Sequence, residues 1–214
     1  MASRYRCRIL IADDHTLIAE ACKALLEPEF EVVGTVSDGR AMLRAAQELS
    51  PDVVIVDVAM PQLNGLEAGE QLKQRYPKVK LIFLTMSTAA DVAAEAFRRG
   101  ASAYVVKHST AEELVTAVRR VLRGESYLSP LITKETVQFL LRTGKVYEQE
   151  KKVSGRQAEV LQLLAEGKSM KEIAYILEVK PGTVAFHKYK IMEQLRITTN
   201  AQLIEYALKH HVIG

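Results

Sequence analysis

Polar side chains that can do chemistry follow four of the short apolar runs in the first half of the chain. Asp13 and Asp14 follow the first run, Asp57 follows a second, and Thr85 and Lys107 end two later ones. If these runs are parallel strands, their carboxyl ends meet at one edge of a sheet, where open α/β sheets bind ligands. We therefore expect these five side chains, hereafter the acidic pocket, to converge.

The chemistry expected of the acidic pocket is phosphoryl transfer. Three carboxylates in close contact repel one another unless a cation joins them, and Mg²⁺ is the cation that such oxygen ligands favour. Asp57 can then attack a phosphoryl donor and form an acyl phosphate. Lys107 would neutralise charge on the transferred group, and Thr85 would donate its hydroxyl to a phosphoryl oxygen. Tyr104 would repack as Thr85 moves, which makes it a predicted switch residue.

Each of these residues, taken alone, has a simpler structural explanation. A single Asp at a strand end usually caps a helix or forms a turn, and Thr85 alone would be read as a helix cap. Tyr104 precedes two valines and is also compatible with a place in the core. The order of an acid pair, an acid, a hydroxyl and an ammonium, each at a strand end, favours the functional interpretation.

Five apolar runs recur at the spacing of β–α units, with helical periodicity between them. Strands that alternate with helices predict a doubly wound parallel sheet, hence an α/β domain that ends near Leu122. The predicted strands are Arg8–Ala12, Glu31–Val36, Val53–Val56, Lys80–Leu84 and Ala103–Val106.

Four segments of this domain resemble the receiver domain of two-component response regulators: residues 9–15, 53–67, 84–86 and 104–107. The resemblance covers roughly residues 6 to 122. It implies a flavodoxin-like, five-stranded sheet of order 2-1-3-4-5 and phosphorylation of Asp57 by a partner histidine kinase. It also implies Mg²⁺ bound by Asp14, Asp57 and the backbone carbonyl of Ala59, with Asp13 nearby. His108 stands where the family often has proline, so a cis bond after Lys107 is not expected.

The rest of the chain reads as a linker and a small helical domain. Residues 1–122 form the first predicted domain, residues 123–151 a linker with a helix around 133–142, and residues 152–214 the second domain. Capping signals at Ser154, Ser169 and Thr199, and Pro181, predict four helix starts. Residues 151–214 hold ten basic and six acidic side chains, and this excess is compatible with DNA binding or with a solvated surface.

The third of these helices has the features of a DNA recognition helix. Pro181 to Leu195 follows a short turn, as in a helix-turn-helix, where the second helix enters the major groove. Phe186 is predicted to belong to the core, His187 is also compatible with packing or capping, and Lys168 and Lys171 with solvated charges. The predicted DNA-contacting residues are Lys180, Gly182, Thr183, Val184, His187, Lys188 and Lys190.

Residues 154–161, 165–174 and 182–187 resemble the LuxR-type DNA-binding domain. Together with the receiver resemblance, this points to the NarL/FixJ subfamily and implies dimerisation through the last helix. Lys180, Gly182, Gln194 and Asn200 depart from the residues that are common in the family, so DNA affinity or sequence preference is expected to differ.

These features predict a phosphorylation-controlled transcription regulator that is not an enzyme and that binds double-stranded promoter DNA, as a homodimer once activated. One alternative is an aspartyl-phosphate hydrolase, but Ala59 occupies the position where such an enzyme needs a second acid. Another alternative is a helical domain that binds protein rather than DNA, which the departure at Gly182 leaves open.

The composition indicates a cytoplasmic protein with no membrane partner. No apolar run approaches the roughly 18 to 20 residues that cross a bilayer, and the first residues lack the features of a signal peptide. Cys7 and Cys22 are too few for a disulfide framework, and no zinc-binding spacing is present.

Overall fold

The computed structural model describes residues 6–108, 111–132, 153, 155–210 and 212. The helix predicted around residues 133–142 and the capping signal at Ser154 lie outside the described residues. In the described ranges, every peptide bond is trans, including the bond after Lys107. None of the helices in these ranges has the length and hydropathy that crossing a bilayer requires.

The first domain is built on a parallel sheet of order β2-β1-β3-β4-β5-β6. The predicted order of the first five strands is confirmed, because β1 pairs with both β2 and β3, and β4 lies between β3 and β5. The strands are β1 (Arg8–Ala12), β2 (Glu31–Val36), β3 (Val53–Val56), β4 (Lys80–Thr85), β5 (Ala103–Val106) and β6 (Tyr127–Leu128).

The predicted count of five strands is wrong by one, because β6 lies in the segment predicted to be linker. Ala103 pairs with Tyr127 and Tyr104 with Leu128, and the Ser129 amide donates to the Tyr104 carbonyl at 2.9 Å. A strand of two residues is too short to produce the alternation that identifies strands in a sequence. The chain therefore leaves the sheet beside the strand that carries Tyr104.

Helices cover both faces of the sheet, which explains why its central strands are apolar at every position rather than at alternate ones. All four residues of β3 are buried, and so are all four of β5. Two apolar cores result, one on each face. The helices are α1 (Thr16–Leu26), α2 (Gly39–Leu49), α3 (Gly65–Arg75), α4 (Ala90–Arg98) and α5 (Ala111–Leu122).

The second domain contains four described helices around a core of its own. Val160, Ile173, Val184 and Ile191 are completely buried in that core. The capping boxes predicted at Ser169 and Thr199 both form, and Pro181 occupies the first turn of its helix as predicted. The helices are α6 (Gly155–Ala165), α7 (Met170–Ile176), α8 (Pro181–Leu195) and α9 (Asn200–Lys209).

Gly65 closes the turn that joins β3 to α3. Its amide donates to the Val58 carbonyl at 2.9 Å, and a Cβ at this position would lie 1.9 Å from the Asp57 carbonyl oxygen. That oxygen belongs to the backbone and cannot rotate away. Only glycine therefore allows α3 to start this close to Asp57.

Replacing Gly65 by alanine is expected to lower the free energy of unfolding by about 1–3 kcal/mol, because backbone must shift to admit the methyl group. Gly182→Ala is a matched control, since a Cβ at Gly182 meets no atom within 4 Å. It should keep or raise stability, by up to about 1 kcal/mol. Urea unfolding monitored by circular dichroism measures both, and equal stability of the two variants would contradict the steric explanation.

Candidate functional site

The structure brings Asp13, Asp14, Asp57 and Lys107 together at the carboxyl edge of the sheet. The Lys107 ammonium lies 2.7 Å from a carboxylate oxygen of Asp13 and 2.7 Å from one of Asp57. The Lys107 side chain is only 3% exposed, and Asp13 and Asp57 are buried as well, while Asp14 is exposed. A single ammonium therefore links the ends of β1, β3 and β5.

Backbone pairing at the strand ends holds these residues in place. The Asp57 amide donates to the Ala12 carbonyl at 2.8 Å, which continues the β1–β3 ladder by one residue. The Lys107 amide donates to the Thr85 carbonyl at 2.7 Å and does the same for β4 and β5. The backbone pairing of the sheet therefore also fixes the positions of Asp57 and Lys107, which directly follow β3 and β5.

Thr85 and Tyr104 meet at Ser87. Thr85 is 2% exposed, and its hydroxyl oxygen accepts a hydrogen bond from the Ser87 amide at 3.2 Å. The Tyr104 hydroxyl donates to the Ser87 carbonyl at 3.1 Å, and its side chain is completely buried. Burial raises the pKa of Tyr104 to about 12, although hydrogen bonds with Ser87 and Thr85 oppose the rise. This phenol is therefore neutral near pH 7.

Burial and the Lys107 ion pairs act in opposite directions on the charged groups of the pocket. Burial raises the pKa of Asp57, and the hydrogen bond and charge of Lys107 partly offset this rise. Burial would lower the pKa of Lys107, but hydrogen bonds to Asp13 and Asp57 leave it above its usual value. The ammonium form of Lys107 is therefore the one that faces both carboxylates.

The pocket offers ligands that suit a divalent cation. One ligand atom from each of Asp13, Asp14, His15 and Asp57 lies within 4.8 Å of the others. Three carboxylates against one ammonium leave a net negative charge, and carboxylate oxygens are the ligands that Mg²⁺ prefers. The residues present therefore fit the ion. His15 was missing from the predicted set, although its imidazole nitrogen lies 2.9 Å from an Asp14 oxygen.

The loop after Asp57 is hydrogen-bonded to α6 of the second domain. The Gln162 side chain accepts from the Asn64 amide at 2.7 Å and donates to the Met60 carbonyl at 2.9 Å. The Gln62 amide donates to Glu166 at 2.9 Å, and Gln62 has a φ of 64°, a left-handed conformation that is strained for a side-chain-bearing residue. Three backbone groups of this loop thus have their partners in α6 or in Glu166, the residue that follows it.

A buried ionic network holds the other half of α6 against the first domain. Glu159, which is 7% exposed, accepts hydrogen bonds from Arg40 of α2 and from Arg156 of its own helix. Gln71 of α3 donates to the same carboxylate at 3.0 Å. α6 therefore bridges α2, α3 and the loop after Asp57, a contact that sequence analysis did not predict.

The predicted DNA-contacting residues divide by exposure. Lys180, Gly182 and Lys190 are exposed, whereas Thr183, His187 and Lys188 are half-buried. Burial, Arg156 and Lys190 lower the pKa of His187, and its buried Nδ1 has no hydrogen-bond partner among the described residues.

Two assignments on α8 are wrong. Val184 is completely buried in the helical core, so it cannot contact DNA, and Phe186, predicted to be core, is 60% exposed. Tyr189, which the predicted set lacks, is 64% exposed. The spacing contains the signal: Val184 and Ile191 are seven residues apart and define the buried face, whereas Phe186 and Tyr189 fall on the opposite face.

Two family models match the chain, one for each domain. The response regulator receiver domain matches residues 9–119, and the model of bacterial regulatory proteins, luxR family, matches residues 151–207. The first match spans nearly all of β1, the elements from α1 to β5 and most of α5, but not β6. The second match spans α6 to α8 and most of α9.

Known proteins match the chain along nearly its full length. It is 35% identical to Oxygen regulatory protein NreC of Staphylococcus carnosus (strain TM300), covering 96% of this chain and 99% of that protein. It is 33% identical to Transcriptional regulatory protein LiaR of Bacillus subtilis (strain 168), covering 97% and 99%. A solved structure of two RcsB dimers bound to two parallel DNAs aligns with a TM-score of 0.57 and 25% identity, covering 94% and 98%.

The chain belongs to the response regulators of two-component systems. Its luxR-type domain and its relatives make it a member of the NarL/FixJ subfamily. Members of this family are DNA-binding transcription regulators rather than enzymes, and the receiver domain controls that activity. The predicted fold class, family and general function are therefore confirmed.

The exposure of residues along α8 predicts unequal effects of two substitutions on stability. Val184→Ala should destabilise the helical domain by about 1–3 kcal/mol, because it removes buried methyl groups and leaves a cavity. Phe186→Ala should change stability by less than about 0.5 kcal/mol, as is usual for exposed positions. Thermal and urea unfolding measure both. A larger loss for Phe186→Ala than for Val184→Ala would reverse our assignment of the buried face.

Proposed function

We propose that Asp57 is the residue that accepts the phosphoryl group, and that a partner histidine kinase supplies it. A carboxylate oxygen of Asp57 attacks phosphorus, and the bond from phosphorus to the donor atom breaks, with the electron pair leaving on the donor. The product is an aspartyl phosphate. The observation that carries this proposal is the Lys107 ammonium, 2.7 Å from Asp57, where negative charge accumulates during transfer.

We propose that Asp14, Asp57 and the backbone carbonyl of Ala59 hold Mg²⁺, with Asp13 nearby. When bound, the ion would neutralise charge on the phosphoryl oxygens. Ala59 is exposed, and its amide donates to an Asp57 oxygen at 3.3 Å, so this residue lies at the open side of the pocket. Lys107 holds Asp13 and Asp57 in place from the buried side.

Thr85 and Tyr104 are proposed to report the phosphorylated state. Once the phosphoryl group is present, the Thr85 hydroxyl would donate to one of its oxygens, and the bond from the Ser87 amide to that hydroxyl would change. The Tyr104 hydroxyl donates a hydrogen bond to the Ser87 carbonyl, so the Tyr104 side chain would move when Ser87 moves. Because β5 carries Tyr104 and pairs with β6, the rearrangement would reach the start of the linker.

The proposed output is the binding of α8 in the major groove of promoter DNA. Lys180, Lys188 and Lys190 would contact phosphates or guanine, while Thr183 and His187, both half-buried, would contact DNA at the margin of the helix. Gly182 would allow close approach of the helix. A protein-binding helical domain is the alternative.

We further propose that the chain acts in the cytoplasm and forms a homodimer on activation. Paired half-sites in DNA demand paired recognition helices, and α9 exposes Ile204 and Leu208 on the surface where a second copy can pack. We propose domain bounds of 1–122 and 152–214, with residues 123–151 as the linker, except that β6 pairs with β5 and so belongs to the first domain.

Phosphorylation of Asp57 can be tested with acetyl phosphate and Mg²⁺. The wild-type protein should gain one phosphoryl group by intact mass, Asp57→Ala none, and a chelator should suppress labelling. Asp52→Asn is a control, because Asp52 directly precedes β3, at the end opposite Asp57, and its carboxylate accepts a hydrogen bond from the Arg8 amide. Undiminished labelling of Asp57→Ala would reject the assignment.

The proposed DNA contacts predict a change in salt dependence. Each of Lys188→Ala and Lys190→Ala should reduce the slope of log K against log salt concentration by about 1, since each removes one phosphate contact. Lys78→Ala, an exposed lysine of the first domain, should leave the slope unchanged. Fluorescence anisotropy with a labelled duplex gives these slopes. Salt-independent binding would favour the protein-binding alternative.

A further inference from the structure

In the N-terminal half of α8, the face opposite the core is built from small and aromatic residues, and the charged Glu193 follows on the same face near the end of the helix. Val184 and Ile191 define the buried face of this helix. At 100° per residue, Gly182, Phe186 and Tyr189 all lie within about 40° of the direction opposite Val184. The two rings are 60% and 64% exposed, and a Cβ at Gly182 meets nothing within 4 Å. In this half of the helix, the centre of the exposed face is therefore apolar.

Basic side chains flank this apolar centre. Lys190 is exposed, Lys188 is half-buried, and Lys180 is exposed at the start of the helix. The Lys190 ammonium lies 5.7 Å from the centroid of the Phe186 ring, a distance at which a cation attracts the face of an aromatic ring. Lys190 is thus next to the ring but does not cover it, since Phe186 stays 60% exposed.

The partner that fits this face is double-stranded DNA, with α8 lying in the major groove. Lysines at the margin complement the phosphates on either side of the groove, and phosphate contacts set position without reading sequence. At the floor of the groove, the thymine methyl is the apolar group that a base pair presents, while the other groups there are hydrogen-bond donors or acceptors. An apolar ring at the centre of the helix face has that methyl as its complement.

The geometry points to Phe186, with Tyr189 beside it, as a residue that determines DNA sequence preference by contacting thymine methyl groups. The inference rests on the proposed role of α8 as the recognition helix. It also accounts for the departure at Gly182: without a side chain there, the first turn of α8 can approach the bases closely enough for Phe186 to reach them. The preferred half-site should therefore contain thymine at one or more fixed positions.

The test uses the full-length protein and removal of single methyl groups from DNA. The duplex that binds best is first recovered from a randomised pool by the protein treated with acetyl phosphate and Mg²⁺. Each thymine of that duplex is then replaced, one at a time, by deoxyuridine, which removes only the methyl group. At the contacted positions we expect wild-type binding to weaken by about fourfold per methyl lost.

Variants of the ring identify the residue that reads the methyl. Phe186→Ala should bind the thymine and deoxyuridine duplexes equally at the position assigned to it, and Phe186→Leu, which keeps an apolar side chain, should retain part of the difference. Tyr175→Ala is the matched control, because Tyr175 is an aromatic residue 87% exposed on α7 rather than α8. It should keep the full effect of deoxyuridine.

The outcomes separate this inference from the proposed function. Salt-dependent binding with equal affinity for thymine and deoxyuridine at every position would overturn the inference alone. An undiminished deoxyuridine effect in Phe186→Ala would overturn it too, because another residue would then read the methyl. Failure of the wild-type protein to bind any duplex would overturn the role proposed for α8 and, with it, the inference.

Discussion

The ion pairs of Lys107 with Asp13 and Asp57 are the interaction on which the functional edge of the sheet depends. Two buried carboxylates without a cation would cost several kcal/mol in desolvation and mutual repulsion. The Lys107 ammonium, at 2.7 Å from each, offsets that cost and joins the ends of three strands. A phosphoryl group on Asp57 would change the charge that Lys107 faces, so the residue that stabilises the pocket is also one that responds to its modification.

Much of the first domain was predictable because its sequence pattern is local and repetitive. The first five strands and their order match the prediction, since buried parallel strands are apolar throughout and strand ends mark the ligand edge. β6 was not predicted, because a strand of two residues is too short to show the alternation of apolar and polar residues that identifies a strand. On α8, the errors at Val184 and Phe186 arose from weighing residue type above position: a valine was assigned to the exterior and a phenylalanine to the core, whereas helical spacing from Ile191 gives the reverse.

The contact between the domains was beyond sequence analysis for a different reason. Its residues are polar, such as Glu159 and Gln162, and they lie about a hundred positions from their partners in the first domain. Nothing in the local pattern distinguishes them from side chains on a solvated helix face. Only the folded chain reveals that Gln162 is 1% exposed and that it satisfies backbone groups on both sides of the loop after Asp57.

The hydrogen bonds between the loop after Asp57 and the second domain determine when two amide protons of this loop can exchange with solvent. The amide protons of Gln62 and Asn64 are held by Glu166 and Gln162, side chains of another domain, and not by the loop itself. Exchange of these two protons with solvent therefore requires α6 to separate from the loop, even while the sheet stays folded. Exchange at two backbone positions a few residues from Asp57 therefore reports how often the second domain separates from this loop.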